Sequence, residues 1–107
     1  MAAGVLYVET APASPDQVGE YHRWYADVHV PEMLRLAGIS SVRRFDTGGE
    51  TYVAIYELDD VETAQSALQE ALTSGTMSRP AVTRSDPPPT MRFFTTFEVF
   101  RAAEQAG

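Results

Sequence analysis

Two adjacent glycines, Gly48 and Gly49, constrain the fold of this 107-residue chain more than any other feature. Consecutive glycines supply the positive φ that a tight antiparallel connection needs, so Thr47-Gly48-Gly49-Glu50 reads as a hairpin turn. Ile39 to Asp46 on one side and Thr51 to Leu58 on the other then form its two strands. Any architecture for the rest of the chain must place its elements around this hairpin.

Ahead of it, Val5 to Thr10 is a β-branched and aromatic run that reads as a strand, central in the sheet. Ala11 to Asp16 breaks that strand. Ser14 is placed as an N-cap, Pro15 as the first helical residue and Asp16 in the first turn. Val18, Tyr21, Tyr25 and Val28 then recur at helical spacing over Gln17 to Val30. Pro31 ends or kinks this helix, and Glu32 to Leu36 adds one turn before Gly38 closes it. Beyond the hairpin, Asp59-Asp60 caps a second helix over Val61 to Leu72, which stops at Ser74-Gly75. Thr76 to Thr90 contains Pro80 and the run Pro87-Pro88-Pro89, so it is expected to be an extended connection, a lid or a dimer arm. Met91 to Phe100 reads as the last strand, and Arg101 to Gly107 as a frayed tail.

The order strand, helix, strand, strand, helix, strand is the split βαβ pattern. The expected fold is therefore α+β and ferredoxin-like, βαββαβ, a four-stranded antiparallel sheet with both helices on one face. The length suits one domain over 1–107. A sheet covered on one side leaves its other side bare, and several aromatic and aliphatic strand residues fall there. A second copy packed face to face would cover them, so a homodimer is expected.

Charge and composition remove several functions. A formal net charge of −7 opposes binding to a phosphate backbone, so no nucleic-acid partner is expected. Cysteine is absent, which removes disulfides, thiolate metal sites and a cysteine nucleophile. All eight strong cations are arginine, so a lysine Schiff base is excluded too. No segment resembles a signal peptide or a membrane span, and a cytoplasmic location is the expectation. His22 and His29 lie two turns apart with no third close His or Cys, so no metal site is expected. A phosphate loop and a serine nucleophile motif are both missing, and no cofactor is expected.

What chemistry remains converges on the first helix. Val18, His22, Tyr25 and His29 project within a narrow sector, with Tyr21 and Val28 beside them. A histidine on an apolar stripe needs a hydrogen-bond partner, and its proton affinity lies near neutrality. Tyr25, one turn before His29, can share a ligand or a proton with it. The alternative is a satisfied core or cap histidine, whose imidazolium would suit the helix C-terminus. Tyr21 and Trp24 are candidates to line a substrate pocket, although large aromatics beside a stripe also serve packing. Arg43 and Arg44 alternate across their strand, so one of them faces inward. Arg43 is the candidate to hold a carboxylate or enolate oxygen, the alternative being a surface ion pair. His22 and Tyr56 complete the candidate substrate-binding set, with an edge or surface role as the competing reading of His22. Glu32 either orients His29 or starts a helical turn.

Trp24-Tyr25-Ala26-Asp27-Val28-His29-Val30-Pro31-Glu32, with Gly38-Ile39 and Arg43-Arg44-Phe45, resembles the W-Y-x-x-H-x-P pattern and following strand of the dimeric α+β barrel superfamily, especially its EthD-like and polyketide-cyclase-like members. Tyr52 to Leu58 is similar to that family's third strand. The resemblance implies a homodimer whose two sheets form a barrel, and a pocket in each subunit between sheet and helices. It also implies His29 as the catalytic histidine; Tyr25 is its partner by position. The expected function is that of a small cofactor-free enzyme of secondary metabolism. Its substrate would be a polyketide-like or aromatic carbonyl compound, cyclised, dehydrated or isomerised by acid–base catalysis. A cofactor-free monooxygenase of phenols and a non-catalytic ligand-binding or stress-responsive protein are the alternatives.

Overall fold

The computed structural model describes residues 2–77 and 82–103 of the chain. Strands β1 (Gly4–Thr10), β2 (Ile39–Asp46), β3 (Tyr52–Leu58) and β4 (Thr90–Thr95) form one antiparallel sheet in the order β2-β3-β1-β4. β1 is central, pairing Leu6 with Tyr56 of β3 on one side and with Phe93 of β4 on the other. The fold is the expected ferredoxin-like α+β type. Gly48, at φ 84°, makes the left-handed bend of the hairpin, and Asp46 accepts a hydrogen bond from its N–H at 2.8 Å.

The first helical stretch differs from a uniform α-helix. A 3-10 turn at Pro15–Gln17 leads into α1 (Val18–Trp24); a π-helical turn spans Tyr25–His29, and α2 (Val30–Leu34) follows. Ser14 precedes the first turn, but its hydroxyl donates to the Gln17 side chain at 3.0 Å instead of capping a backbone amide. Pro31 neither ends nor breaks the helix. It lies at the start of α2, and just ahead of it the Val30 N–H reaches back five residues to the Tyr25 carbonyl. Proline has no N–H to place in the ladder, so a wide turn before it accommodates its ring.

That turn also decides what faces the sheet. Tyr21, Tyr25 and Met33 are buried and His29 lies partly buried between the last two, all at four-residue spacing. In an unbroken α-helix such a row drifts around the axis; the wider π turn takes back part of the drift. The buried stripe accordingly runs through Tyr21 rather than through Val18 and His22.

Helix α3 (Val61–Ser74) is capped as expected. Asp60 accepts from the Thr63 N–H at 3.2 Å and the Thr63 hydroxyl at 2.6 Å. Its Val61, Ala64 and Leu68 join Leu6, Ala54 and Tyr56 in the core. Ala64 comes so near Gly38 that a Cβ there would lie 2.8 Å from the Ala64 nitrogen, and Gly38 has φ 88°. Only glycine meets both conditions.

The last strand is shorter than the sequence suggests, ending at Thr95 rather than Phe100. Thr95 pairs with Gly4, where β1 begins, and a final bond runs from the Thr96 N–H to the Ala3 carbonyl. Past that point no strand among the described residues lies alongside, and Phe97 and Phe100 are 92% and 85% exposed. Alternation gives the sheet two unlike faces. Leu6, Val8, Ala54 and Tyr56 point to the helices, whereas Val5, Tyr7, Val53, Ile55, Phe45 and Phe94 occupy the open side. Between α3 and β4, Thr83 forms a bridge with Pro12, and bonds join Ala13 to Val82 and Arg84 to Ala11. This ties the proline-rich connection to the end of β1. Pro80 and the tail beyond residue 103 lie outside the described residues. No helix among the described residues is long and apolar enough to cross a membrane.

Candidate functional site

A cavity of about 250 Å³ lies between the helices and the sheet. β1 forms its floor through Leu6, Val8 and Thr10; Trp24, Tyr25, His29 and Met33 line one wall and Leu68 and Leu72 the other. Met77, Thr83 and Pro89 of the long connection close one end. Leu68, Leu72 and Met91 also border an open groove between α3 and β4, so the two spaces share a wall. The cavity is thus apolar, with four polar side chains along it: Thr10, Tyr25, His29 and Thr83. No charged side chain among the described residues lines it.

His29 is held by rings. Trp24 stacks on it with centroids 4.6 Å apart and planes 17° from parallel, and Tyr25 meets it edge to face at 5.1 Å. Its Nδ1 is buried and has no hydrogen-bond partner among the described residues. Burial pushes the imidazole down to about 4; the Glu32 carboxylate opposes the shift and the Arg44 guanidinium adds to it. His29 is therefore neutral at pH 7, able to accept a proton and surrounded by little that would stabilise the cation once formed.

Tyr25 takes part in a buried hydroxyl cluster. The Thr10 hydroxyl hydrogen-bonds with the Tyr25 hydroxyl at 3.1 Å and also with that of Tyr21. Burial raises the Tyr25 phenol, the Thr10 contact and the Arg44 charge hold it down, and Tyr21 adds to the rise. Tyr25 stays protonated at neutral pH, a donor beside a neutral base.

Of the residues singled out in the sequence, Tyr25, His29 and Trp24 line the cavity together. Tyr21 stands behind it, wholly buried, and acts through Thr10. Tyr56 is also wholly buried beneath this layer, and its hydroxyl has no partner among the described residues. His22 lies at the flank, edge-on to Tyr52 at 4.6 Å, and accepts a hydrogen bond on Nδ1 from Arg44 at 3.3 Å. Arg43 is not at the cavity. It points from the open face, 69% exposed, with Glu57 at 3.9 Å and the Phe45 ring beside it. The inward arginine is Arg44. Val42 and Phe45 are three residues apart on β2 and so lie on opposite faces, and apolar patterning alone left the inward parity undecided; burial of Val42 against the core resolves it. Thr10, not marked in the sequence, carried a signal: it is the polar member of the inward row Leu6, Val8, Thr10. Among the described residues no three His, Asp or Glu side chains gather as metal ligands.

No protein-family model matches the chain, and no curated protein matches it in sequence. Solved structures share its fold, among them two that match it over nearly its whole length. One is a protein of unknown function, NE2512, from Nitrosomonas europaea, with TM-score 0.58, 14% identity and coverage of 97% of this chain and 98% of that one. The other is a monooxygenase from the gene ActVA-Orf6 of Streptomyces coelicolor in complex with the ligand nanaomycin D. It has TM-score 0.55, 17% identity and coverage of 94% of each chain. At such identities the likeness establishes the ferredoxin-like fold and leaves the reaction to be argued from the site.

Proposed function

We propose that this chain is a small enzyme acting on a neutral aromatic or polyketide-like carbonyl compound, with His29 as general base and Tyr25 as hydrogen-bond donor to the oxygen. The observation that carries this reading is the meeting of a neutral histidine and a protonated tyrosine, 5.1 Å apart, in an otherwise apolar cavity. A 250 Å³ space compares with the roughly 150 Å³ that houses benzene, so it suits one or two fused rings. His29 removes a proton alpha to the carbonyl, and Tyr25 donates to the oxygen as it becomes an enolate. The imidazolium so formed is the unfavoured state of a desolvated histidine. The new enolate and the Glu32 carboxylate are the charges that offset it. Cyclisation, dehydration or isomerisation can proceed from the enolate.

Hydrogen exchange tests the first step without knowledge of the product. In deuterated water, an aromatic 1,3-diketone should gain deuterium at its central carbon faster with the protein than without it. His29→Ala should slow the catalysed exchange on the order of a hundredfold or more. Equal exchange by the two proteins, both folded, would refute the assignment of His29.

Oxygenation of a phenol is a second reading, favoured by the fold shared with a monooxygenase. Product heavier by one oxygen atom would distinguish it from isomerisation. For assembly, we propose a homodimer through the open sheet face. Val5, Ile55, Phe45 and Phe94 lie uncovered there, and Phe97 and Phe100 extend beyond the sheet with no strand alongside.

A further inference from the structure

Arg44 does not line the cavity but packs against Tyr25, which does, and no carboxylate among the described residues forms an ion pair with it; its neighbour Arg43 pairs with Glu57 on the other face of the sheet. The Arg44 guanidinium carbon sits 4.1 Å from the centre of the Tyr25 ring, 5.5 Å from that of Tyr21 and 5.9 Å from that of Tyr52. Ala54 is its partner across β3, and that small side chain leaves room for the guanidinium over the sheet. Arginine can only donate, so its bond to His22 uses the unprotonated Nδ1 of a neutral imidazole. Ring faces and a neutral imidazole hold a cation in place without cancelling its charge; the carboxylate acting here is that of Asp46, two residues along β2, which favours protonation of His22 while Arg44 opposes it.

We propose that Arg44 determines which charge state of a ligand the cavity holds: clamped against the face of Tyr25, it favours a ligand whose oxygen, at the Tyr25 hydroxyl, is a phenolate or enolate. This rests on the reading above that the cavity takes a carbonyl or phenolic compound with its oxygen toward Tyr25. Tyr25 links the two, its ring against the guanidinium and its side chain among those that line the cavity. Three buried groups register the charge. Arg44 opposes protonation of His29 and favours ionisation of Tyr25 and of Tyr56. Burial is what keeps the base unprotonated, Arg44 adding to that shift against the larger opposing pull of Glu32, and the same cation supports the anion the base creates. His22, Tyr21 and Tyr52 are the anchors that fix Arg44 in this place, which gives His22 a positioning role away from the ligand.

The test uses para-nitrophenol, whose colour reports its ionisation, and para-nitroanisole, its neutral counterpart. The pKa of bound para-nitrophenol is read by absorbance in the wild type and in Arg44→Gln and Arg44→Met, each checked for fold by circular dichroism. Loss of the cation should raise the bound pKa by about one unit, a tenfold loss of preference for the anion. Affinity for para-nitroanisole should stay within about twofold, whereas a merely structural role would weaken both ligands alike. Arg44→Lys should restore part of the preference. An unchanged bound pKa in a folded variant would overturn the role of Arg44 and leave the cavity reading standing. Failure of the wild type to bind either compound would overturn the cavity reading itself, and this inference with it.

Discussion

Lowering the pH should destabilise this protein through His29 specifically. Burial holds its imidazole at about 4, against the ordinary 6.5. At about 1.4 kcal/mol for each pH unit, protonating His29 in the folded chain costs about 3.4 kcal/mol more than in the unfolded chain. Between pH 6.5 and about 4 the unfolded chain carries this proton and the folded one does not, so stability falls as pH falls through that window. Above it the contribution is fully present; below it both states are protonated and nothing more is lost. From pH 7 to pH 4.5 the loss comes to about 2.5 kcal/mol. His29→Gln cannot titrate, and the carboxylates common to both proteins cancel in the comparison. Urea unfolding of the two at one protein concentration should give curves whose stability difference shifts by this amount, in favour of the variant, as the pH is lowered. Parallel loss in both, or a His29 proton resonance that titrates near its ordinary value, would refute the argument that this histidine is desolvated and neutral.

Three further outcomes follow from the packing. Gly38→Ala should cost about 2 kcal/mol or more in urea unfolding, since its φ is 88° and a Cβ would press on the backbone of Ala64. Tyr56→Phe removes a buried hydroxyl that has no partner among the described residues and should leave stability unchanged or raise it by up to about 1 kcal/mol, whereas Tyr21→Phe breaks the bond to Thr10 and should lower it by about 1 kcal/mol. For the proposed homodimer, Phe94→Glu on the open sheet face should shift the mass seen by light scattering from two chains to one; a wild type of one chain would refute the dimer, and an unchanged two-chain mass would place its interface elsewhere.

Much of the fold was legible because its signals are local. Gly48-Gly49 set the hairpin, Asp60 announced the α3 cap, and β-branched runs marked β1 to β3 within a residue or so. The end of β4 was not legible. Met91 to Phe100 has strand character throughout, but a strand persists only where a neighbour runs alongside, and β1 begins at Gly4. The course of the helix past Pro31 was obscured for a related reason. Proline removes a donor wherever it stands, and only the packing of Tyr21, Tyr25, His29 and Met33 against the sheet made a π turn the accommodation.

At the site, the residue types and the one-turn spacing of Tyr25 and His29 stood in the sequence, and so did the parity that sends one of two neighbouring arginines inward. Which arginine, and what it meets, was settled by long-range pairing. Arg44 lies over three tyrosines from two helical turns and a second strand, none adjacent to it in the chain. His29's low proton affinity likewise arises from burial beneath elements distant in sequence. Backbone sterics and the hydrogen bonds of turns and caps act over a few residues, so the chain alone determined its turns, its caps and the places of β1 to β3. Burial and electrostatics act across space, so only the tertiary structure decided which side chains form a cavity and what charge each one carries there.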